Sequence, residues 1–323
     1  MKIPLSIVYL LFYSKIIFSQ VGFLDSTFSD NGKFKYDIGE MEEYDYANHM
    51  AMDNNNSIVI CGATGGYASY GDALLLRLNS DGVLDSSFSD DGYTSIHSDY
   101  YGTEMIWFNK LIIRNDSKII GMGNTSASDL LLMQFLPSGH IDTTFGINGF
   151  EIYNKPGSIN HQYNAIISGN DGSIFIGGVG VDSNYNSKYE LIKFKSSGVI
   201  DSAFGNNRIV FETFHSSDYY YSSYIVDLYL MPDDKIIACG VIYSDSTDDD
   251  DYFIARFNSD GSIDSFFGTS GISLIDYNIG TEAANSSESL MSSDINLADS
   301  SIYLSGRIAL DLDSFFYDVF FPL

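Results

Sequence analysis

Short apolar runs that alternate every second residue, bounded by Gly, Asn, Asp and Ser, fill this chain from end to end. In residues 189–195, Leu191, Lys193 and Lys195 alternate with Ile192 and Phe194 before the turn Ser196-Ser197-Gly198. Comparable runs stand at Asp72–Leu78, Asp129–Leu136, Asp251–Phe257 and Phe315–Phe320. Each has three companions, which within residues 139–197 are predicted at Phe150–Tyr153, about Tyr163–Ser168 and Ser173–Gly178. The second and third segments are joined by Gly169-Asn170-Asp171-Gly172, and its counterparts are 54–57, 115–117, 232–234 and 298–300, all residues that build tight turns. No segment shows the 3.6-residue apolar period of an amphipathic helix. The pattern predicts an all-β chain built from units of four antiparallel strands.

One phrase sets the length of the unit. Gly22-Phe-Leu-Asp25-Ser-Thr-Phe28 returns at Gly82–Phe88, Gly139–Phe145, Gly198–Phe204 and Gly261–Phe267, with Asp-to-Asp steps of 60, 57, 59 and 63 residues. A repeat of that size is one supersecondary unit that cannot bury its apolar face alone, so the copies must stack. Four strands per unit is the content of a propeller blade. The expected fold is a single β-propeller of five four-stranded blades over residues 21–323, with repeats at about 22–81, 82–138, 139–197, 198–260 and 261–323. Because the chain enters on a connector phrase, Val21–Phe28 is expected to pack beside the 261–323 unit.

The phrase has a structural reading. Its Gly allows a turn closed to other residues, its Leu or Ile and its Phe plug the gap between units, and its Asp bonds nearby amides. Asp25, Asp85, Asp142, Asp201 and Asp264, with Phe28, Phe88, Phe145, Phe204 and Phe267, are therefore expected to be structural repeat positions, since a catalytic group is rarely needed five times. These residues resemble the delta-60 repeat family, whose hallmark is a Gly-x-Leu-Asp-x-x-Phe-Gly phrase about every sixty residues. Ser29 and Ser89 depart from it in place of the final Gly, and Arg208 replaces a turn glycine found at Gly32, Gly92, Gly149 and Gly271. The resemblance implies a β-propeller, generally of secreted or surface bacterial proteins, and supplies no catalytic residues.

Composition agrees with a folded, exported chain. Residues 1–20 read as a signal peptide, with Lys2 followed by the apolar run Ile3–Phe18 interrupted at Lys15. No other stretch is apolar enough to span a bilayer, so the mature chain is expected to be secreted or at the cell surface. The net charge of −27 becomes −29 when Lys2 and Lys15 are removed, which repels phosphate backbones and argues against nucleic acid as a partner. At 45% hydrophobic and 15% aromatic residues the acidity does not signal disorder. Cys61 and Cys239 hold equivalent places in different units, too far apart in a ring for a disulfide, and read as buried free thiols.

Function is written more faintly. No His-Glu-x-x-His, Gly-x-Ser-x-Gly or phosphate-cradling glycine loop occurs, and His49, His97, His140, His161 and His215 are scattered through the repeat. No cofactor is implied: the run Asp248–Asp251 is the one calcium candidate, but it lacks the alternating spacing that wraps an ion and reads as a solvated charge run. Strand parity puts the divergent loops on one face, among them Tyr44, Tyr46, Tyr100, Tyr101, Tyr219, Tyr220 and Tyr221. Tyr beside carboxylates suits sugars or peptides. The expected function is a noncatalytic binding or structural scaffold for a carbohydrate or a cell-surface protein. The alternatives are a carbohydrate-active hydrolase or lyase using carboxylates in the central channel, or a fragment of a larger surface adhesin.

Overall fold

The computed structural model describes residues 24–38, 45–65, 71–97, 105–154, 158–182, 187–205, 209–210, 223–244, 249–275, 287–310 and 315–322. They form β-strands, turns and no helix, and none therefore crosses a membrane as a long apolar helix. The first sheet orders β1 (Tyr46–Met52), β2 (Ile58–Thr64), β3 (Asp72–Leu78) and β4 (Tyr93–Ile96) from inside to outside. The second holds β5 (Ile106–Ile113), β6 (Ile119–Thr125), β7 (Leu130–Phe135) and β8 (Phe150–Tyr153), and the third β9 (Ser158–Ser168), β10 (Ile174–Asp182), β11 (Ser187–Phe194) and β12 (Ile209–Val210). The fourth holds β13 (Ser223–Leu230), β14 (Ile236–Ser244), β15 (Asp249–Phe257) and β16 (Ile272–Ile275), and the fifth β17 (Ser287–Asn296), β18 (Ser301–Leu310) and β19 (Phe315–Pro322). Successive sheets pack face to face with β1, β5, β9, β13 and β17 innermost, which is a propeller arrangement.

The sheets are out of phase with the sequence repeat by one strand. Phe150–Tyr153, expected to open the 139–197 unit, pairs instead with Leu130–Met133 as the outer strand of the preceding sheet. The phrase therefore joins the third strand of a sheet to its own outer strand, and the passage to the next inner strand is the loop that follows. The fifth sheet shows three strands among the described residues, where four were expected.

Cores form between the sheets. Val59, Cys61 and Leu75 of the first meet Phe108, Leu111 and Leu131 of the second, and the same contact recurs between later pairs. Both cysteines are free and buried, and burial pushes each thiol up to about 12. Phe88, Phe145 and Phe204 are buried, and each ring lies beneath the glycine of the following phrase, Gly139, Gly198 and Gly261. Phe28, expected beside the 261–323 unit, is seated by the same rule beneath Gly82. The substituted positions keep the backbone of the glycines they replace: φ is 47° at Ser29 and 51° at Ser89, against 51° at Gly146.

A second constraint is hidden in the inner strands. Every one of them carries a β-bulge, at Asn48, Asn109, Asn164, Val226 and Met291, opposite a glycine of the second strand: Gly62, Gly123, Gly178, Gly240 and Gly306. At each glycine a Cβ would overlap an inner-strand carbonyl oxygen, that of Tyr46, Trp107, Gln162, Tyr224 or Ser289. The bulge brings backbone onto backbone, and only a residue without a side chain fits. Gly123→Ala should lose at least about 1–3 kcal/mol in equilibrium unfolding, the range for overpacking. Gly71→Ala, whose Cβ meets nothing closer than 3.7 Å, should be near neutral.

Candidate functional site

Two polar regions lie above the repeat core. The first is a cleft of about 440 Å³ between the third and fourth sheets, on the face of the long divergent loops. Asn160, Gln162 and Asn164 come from β9, Val179 and Val181 from β10, Ser187 from β11 and Tyr224 from β13. Strand alternation sends Asn160 and Gln162 to the same side as their partners Val181 and Val179, and Asn164, at the bulge, lines the same cleft. His161 contributes wall, but the same alternation turns its ring to the opposite face. Ser223 Oγ accepts from the Tyr189 amide at 2.9 Å and ties the two sheets together at this level.

On that opposite face the three groups form a buried network. The Tyr163 hydroxyl donates to Glu190 Oε2 at 2.8 Å, and His161 Nδ1 lies 3.2 Å from the same hydroxyl and 3.4 Å from Glu190 Oε2. Tyr163 spends its one proton on Glu190, so both neighbours of Nδ1 accept, and the network assigns the proton to Nδ1. Burial first, then the Glu190 charge, hold the Tyr163 phenol well above its usual range. Gly180 makes room, since a Cβ there would overlap the Glu190 carboxylate.

The second region is the axis. Lys110 of the second sheet comes within 3.4 Å of Asp227 of the fourth, and Asp227 Oδ2 accepts from Ser293 N of the fifth at 2.7 Å. Asn48 Nδ2 donates to the Phe108 carbonyl, and His49 Nδ1 accepts from the Leu111 amide. Burial and the Lys110 charge push the His49 imidazole down. This belt uses the residues at and after the bulges, so the axial carboxylate Asp227 is already engaged by a cation and a hydroxyl.

Of the tyrosines singled out in the sequence, Tyr46 opens β1 and is exposed. Tyr44, Tyr100, Tyr101 and Tyr219–Tyr221 lie outside the described residues, as does Asp248. Among the described residues no three His, Cys, Asp or Glu side chains gather into a metal site. Asn160 and Gln162 were missed because β9 was read from about Tyr163. The alternation of amides with His161 and Tyr163 was the available signal.

A family model described as "Domain of unknown function (DUF5122) beta-propeller" matches residues 54–88, 169–204 and 232–267. These repeats are DUF5122 β-propeller repeats. None of the curated proteins matches the chain. Among solved structures, an α-L-arabinanase of Penicillium chrysogenum complexed with arabinobiose is similar in fold at 8% identity, with a TM-score of 0.50 over 85% of this chain and 80% of that one. An endo-arabinase from Bacteroides thetaiotaomicron VPI-5482 is 7% identical, with a TM-score of 0.41 over 87% and 94% of the two chains.

Each DUF5122 segment runs from the turn before the second strand to the phrase phenylalanine, so the inner strands and most of the cleft wall fall outside it. The phrase aspartates, of which Asp85, Asp201 and Asp264 lie inside the matched segments, are occupied. Asp85 Oδ1 accepts from Ser87 N and Oγ, while Oδ2 takes Arg77 Nε at 2.8 Å. Asp142 does the same with Thr144, Gln134 and Lys118, and Asp264 with Phe266 N, Arg256 and Lys235. Asp201 takes Ala203 N and lies near Lys193, and Asp25 takes Thr27. At Asp142 burial disfavours the charge, but the bonds from Lys118, Thr144 and Gln134 outweigh it and hold the carboxyl well below its usual range. A carboxyl depressed in the native state adds stability above its unfolded value near 4 and loses it as pH falls toward the native one. Asp142→Asn should therefore cost about 1–3 kcal/mol at pH 7. Its stability should also fall less steeply than that of the parent between about pH 4 and pH 2, measured by denaturant unfolding.

Proposed function

We propose that the chain is an exported, noncatalytic propeller of five blades that holds a neutral, hydroxyl-rich ligand, a saccharide, in the cleft between the third and fourth sheets. One observation carries this reading: on a chain of net charge −27, the described lining of the cleft is amides, a hydroxyl, an aromatic residue, aliphatic side chains and His161, with no Asp, Glu, Lys or Arg among the described residues. Amides offer donors and acceptors side by side, which suits paired sugar hydroxyls, and Val179 and Val181 offer an apolar patch for ring C–H groups. Tyr219–Tyr221 stand just ahead of β13 in the sequence and lie outside the described residues; their contribution to binding belongs to the same proposal.

Binding is favoured over hydrolysis by the state of the carboxylates. Glycoside cleavage uses two carboxyl groups flanking the substrate. Glu190 is fully buried and engaged by Tyr163, and Asp227 is engaged by Lys110 and Ser293. The arabinanase of similar fold holds arabinobiose, which makes pentose oligosaccharides a sensible first probe.

A glycan array probed with residues 21–323 tests the proposal. Binding to at least one neutral saccharide is expected, and Gln162→Ala with Asn164→Ala should weaken it more than about tenfold, or about 1.4 kcal/mol, without changing the melting temperature. Retained affinity in that variant, together with loss on changing Asn170 and Asp171 of the opposite face, would assign the ligand to the wrong side.

A further inference from the structure

The phrases and the outer strands do not match in number. After the second to fifth phrases the chain forms β4, β8, β12 and β16, each the outer strand of the sheet just completed. After the first phrase come Lys33–Tyr36, which form no such strand, while the fifth sheet has no outer strand among the described residues.

The first phrase is nevertheless docked as the others are. Ser29 N donates to Asp81 O at 2.7 Å, as Ser89 N does to Ser138 O, Gly146 N to Ser197 O and Gly205 N to Asp260 O. Gly32 N donates to Phe28 O at 2.7 Å, as Gly92 N does to Phe88 O. Repeat symmetry therefore puts Lys33–Tyr36 where an outer strand of the sheet preceding the first must lie. Tyr36 sits against Tyr93 of β4, with ring centroids 6.1 Å apart, as expected for neighbouring outer strands.

The faces on both sides of this gap are uncovered. Met50 is 66% exposed, whereas its equivalents Leu111, Ile166 and Leu228 face the preceding sheet at 1%, 7% and 4%. Tyr303 is 42% exposed, whereas Val59, Ile120, Phe175 and Ile237 at the same position are 1%, 0%, 3% and 2% exposed. One face looks backward from the first sheet and the other forward from the last, so each is the partner that repeat packing assigns to the other.

We infer that Lys33–Tyr36 adds to the free edge of β19 as its fourth strand, closing the ring and bringing the faces bearing Met50 and Tyr303 together. The register follows from the complete sheets. Gly62 pairs with Leu74 and Leu74 with Ser95, Gly123 with Leu131 and Leu131 with Ile152, Gly240 with Phe253 and Phe253 with Leu274. Each outer partner is the third residue after the turn glycine, Gly92, Gly149 or Gly271. Gly306 pairs with Val319, so Val319 pairs with Lys35, the third residue after Gly32, and Phe320 with Phe34. The occupant is this chain's own segment, because the interface it completes is the one already formed four times within the chain.

Directly opposed strand residues lie about 4.5–5.5 Å apart at Cα, within disulfide range. Lys35→Cys with Val319→Cys should therefore oxidise to an intramolecular disulfide, seen as a faster non-reduced monomer on a gel. Phe34→Cys with Val319→Cys, one residue out of register and on opposite faces, should not. Amide exchange of the unmodified chain is a second readout that needs no variant: Phe34 and Tyr36, at the positions of Thr94 and Ile96 where the outer strand bonds the third, should be protected to the level of those residues of β4, while the Lys35 amide points away from β19. No in-register disulfide, equal oxidation of both pairs, cross-links only between chains, or unprotected amides at Phe34 and Tyr36 would overturn the assignment. None of these outcomes depends on whether the cleft binds a saccharide.

Discussion

A phenylalanine ring beneath the next phrase's glycine sets the spacing of the molecule. A Cβ added to Gly139 would stand 2.9 Å from three atoms of the Phe88 ring, so the turn and the ring can meet only if the turn has no side chain. The same contact joins Phe28 to Gly82, Phe145 to Gly198 and Phe204 to Gly261. It fixes how far one sheet stands from the next, and the interfaces of Val, Ile, Leu and Phe between sheets fill the separation so defined. The phrase aspartate holds the turn in shape by bonding its own following residues and a cation or amide from a neighbouring strand. One seven-residue phrase thus supplies the turn, the clamp and the plug.

Much of this was legible in the sequence, because repetition acts as an internal alignment. The strands, the Asn-Asp turns, the Asp and Phe positions and the buried thiols were all read from residue types and spacing. Phase was not, because a period says how often a unit recurs and nothing about where a sheet begins. Phe150–Tyr153 follows the phrase that opens a repeat in sequence, yet it completes the sheet before it. The bulges were also unreadable, since backbone makes them, yet their complement was visible in Gly62, Gly123, Gly178, Gly240 and Gly306.

The site was harder to see than the fold for a related reason. Positions that serve the repeat are shared among copies, as Asn164 shares the bulge position with Asn48 and Asn109, whereas Asn160 and Gln162 occur in one copy and carry no periodic signal. Reading the loops for tyrosines pointed to the divergent face and passed over the strand ends beneath it. The net charge of −27 sets this cleft apart, because no Asp, Glu, Lys or Arg lines it among the described residues.

The contact beneath the phrase glycine can be measured by a double-mutant cycle on Phe88→Ala and Gly139→Ala, followed by equilibrium unfolding. Each single change should destabilise, the first by emptying a core site and the second by driving a Cβ into the ring. Removing the ring makes room for the Cβ, so the double variant should lose less than the two losses combined, by about 0.5–3 kcal/mol. Losses that add within about 0.5 kcal/mol would mean that ring and turn do not press on one another, and the account of how the sheets are spaced would be wrong.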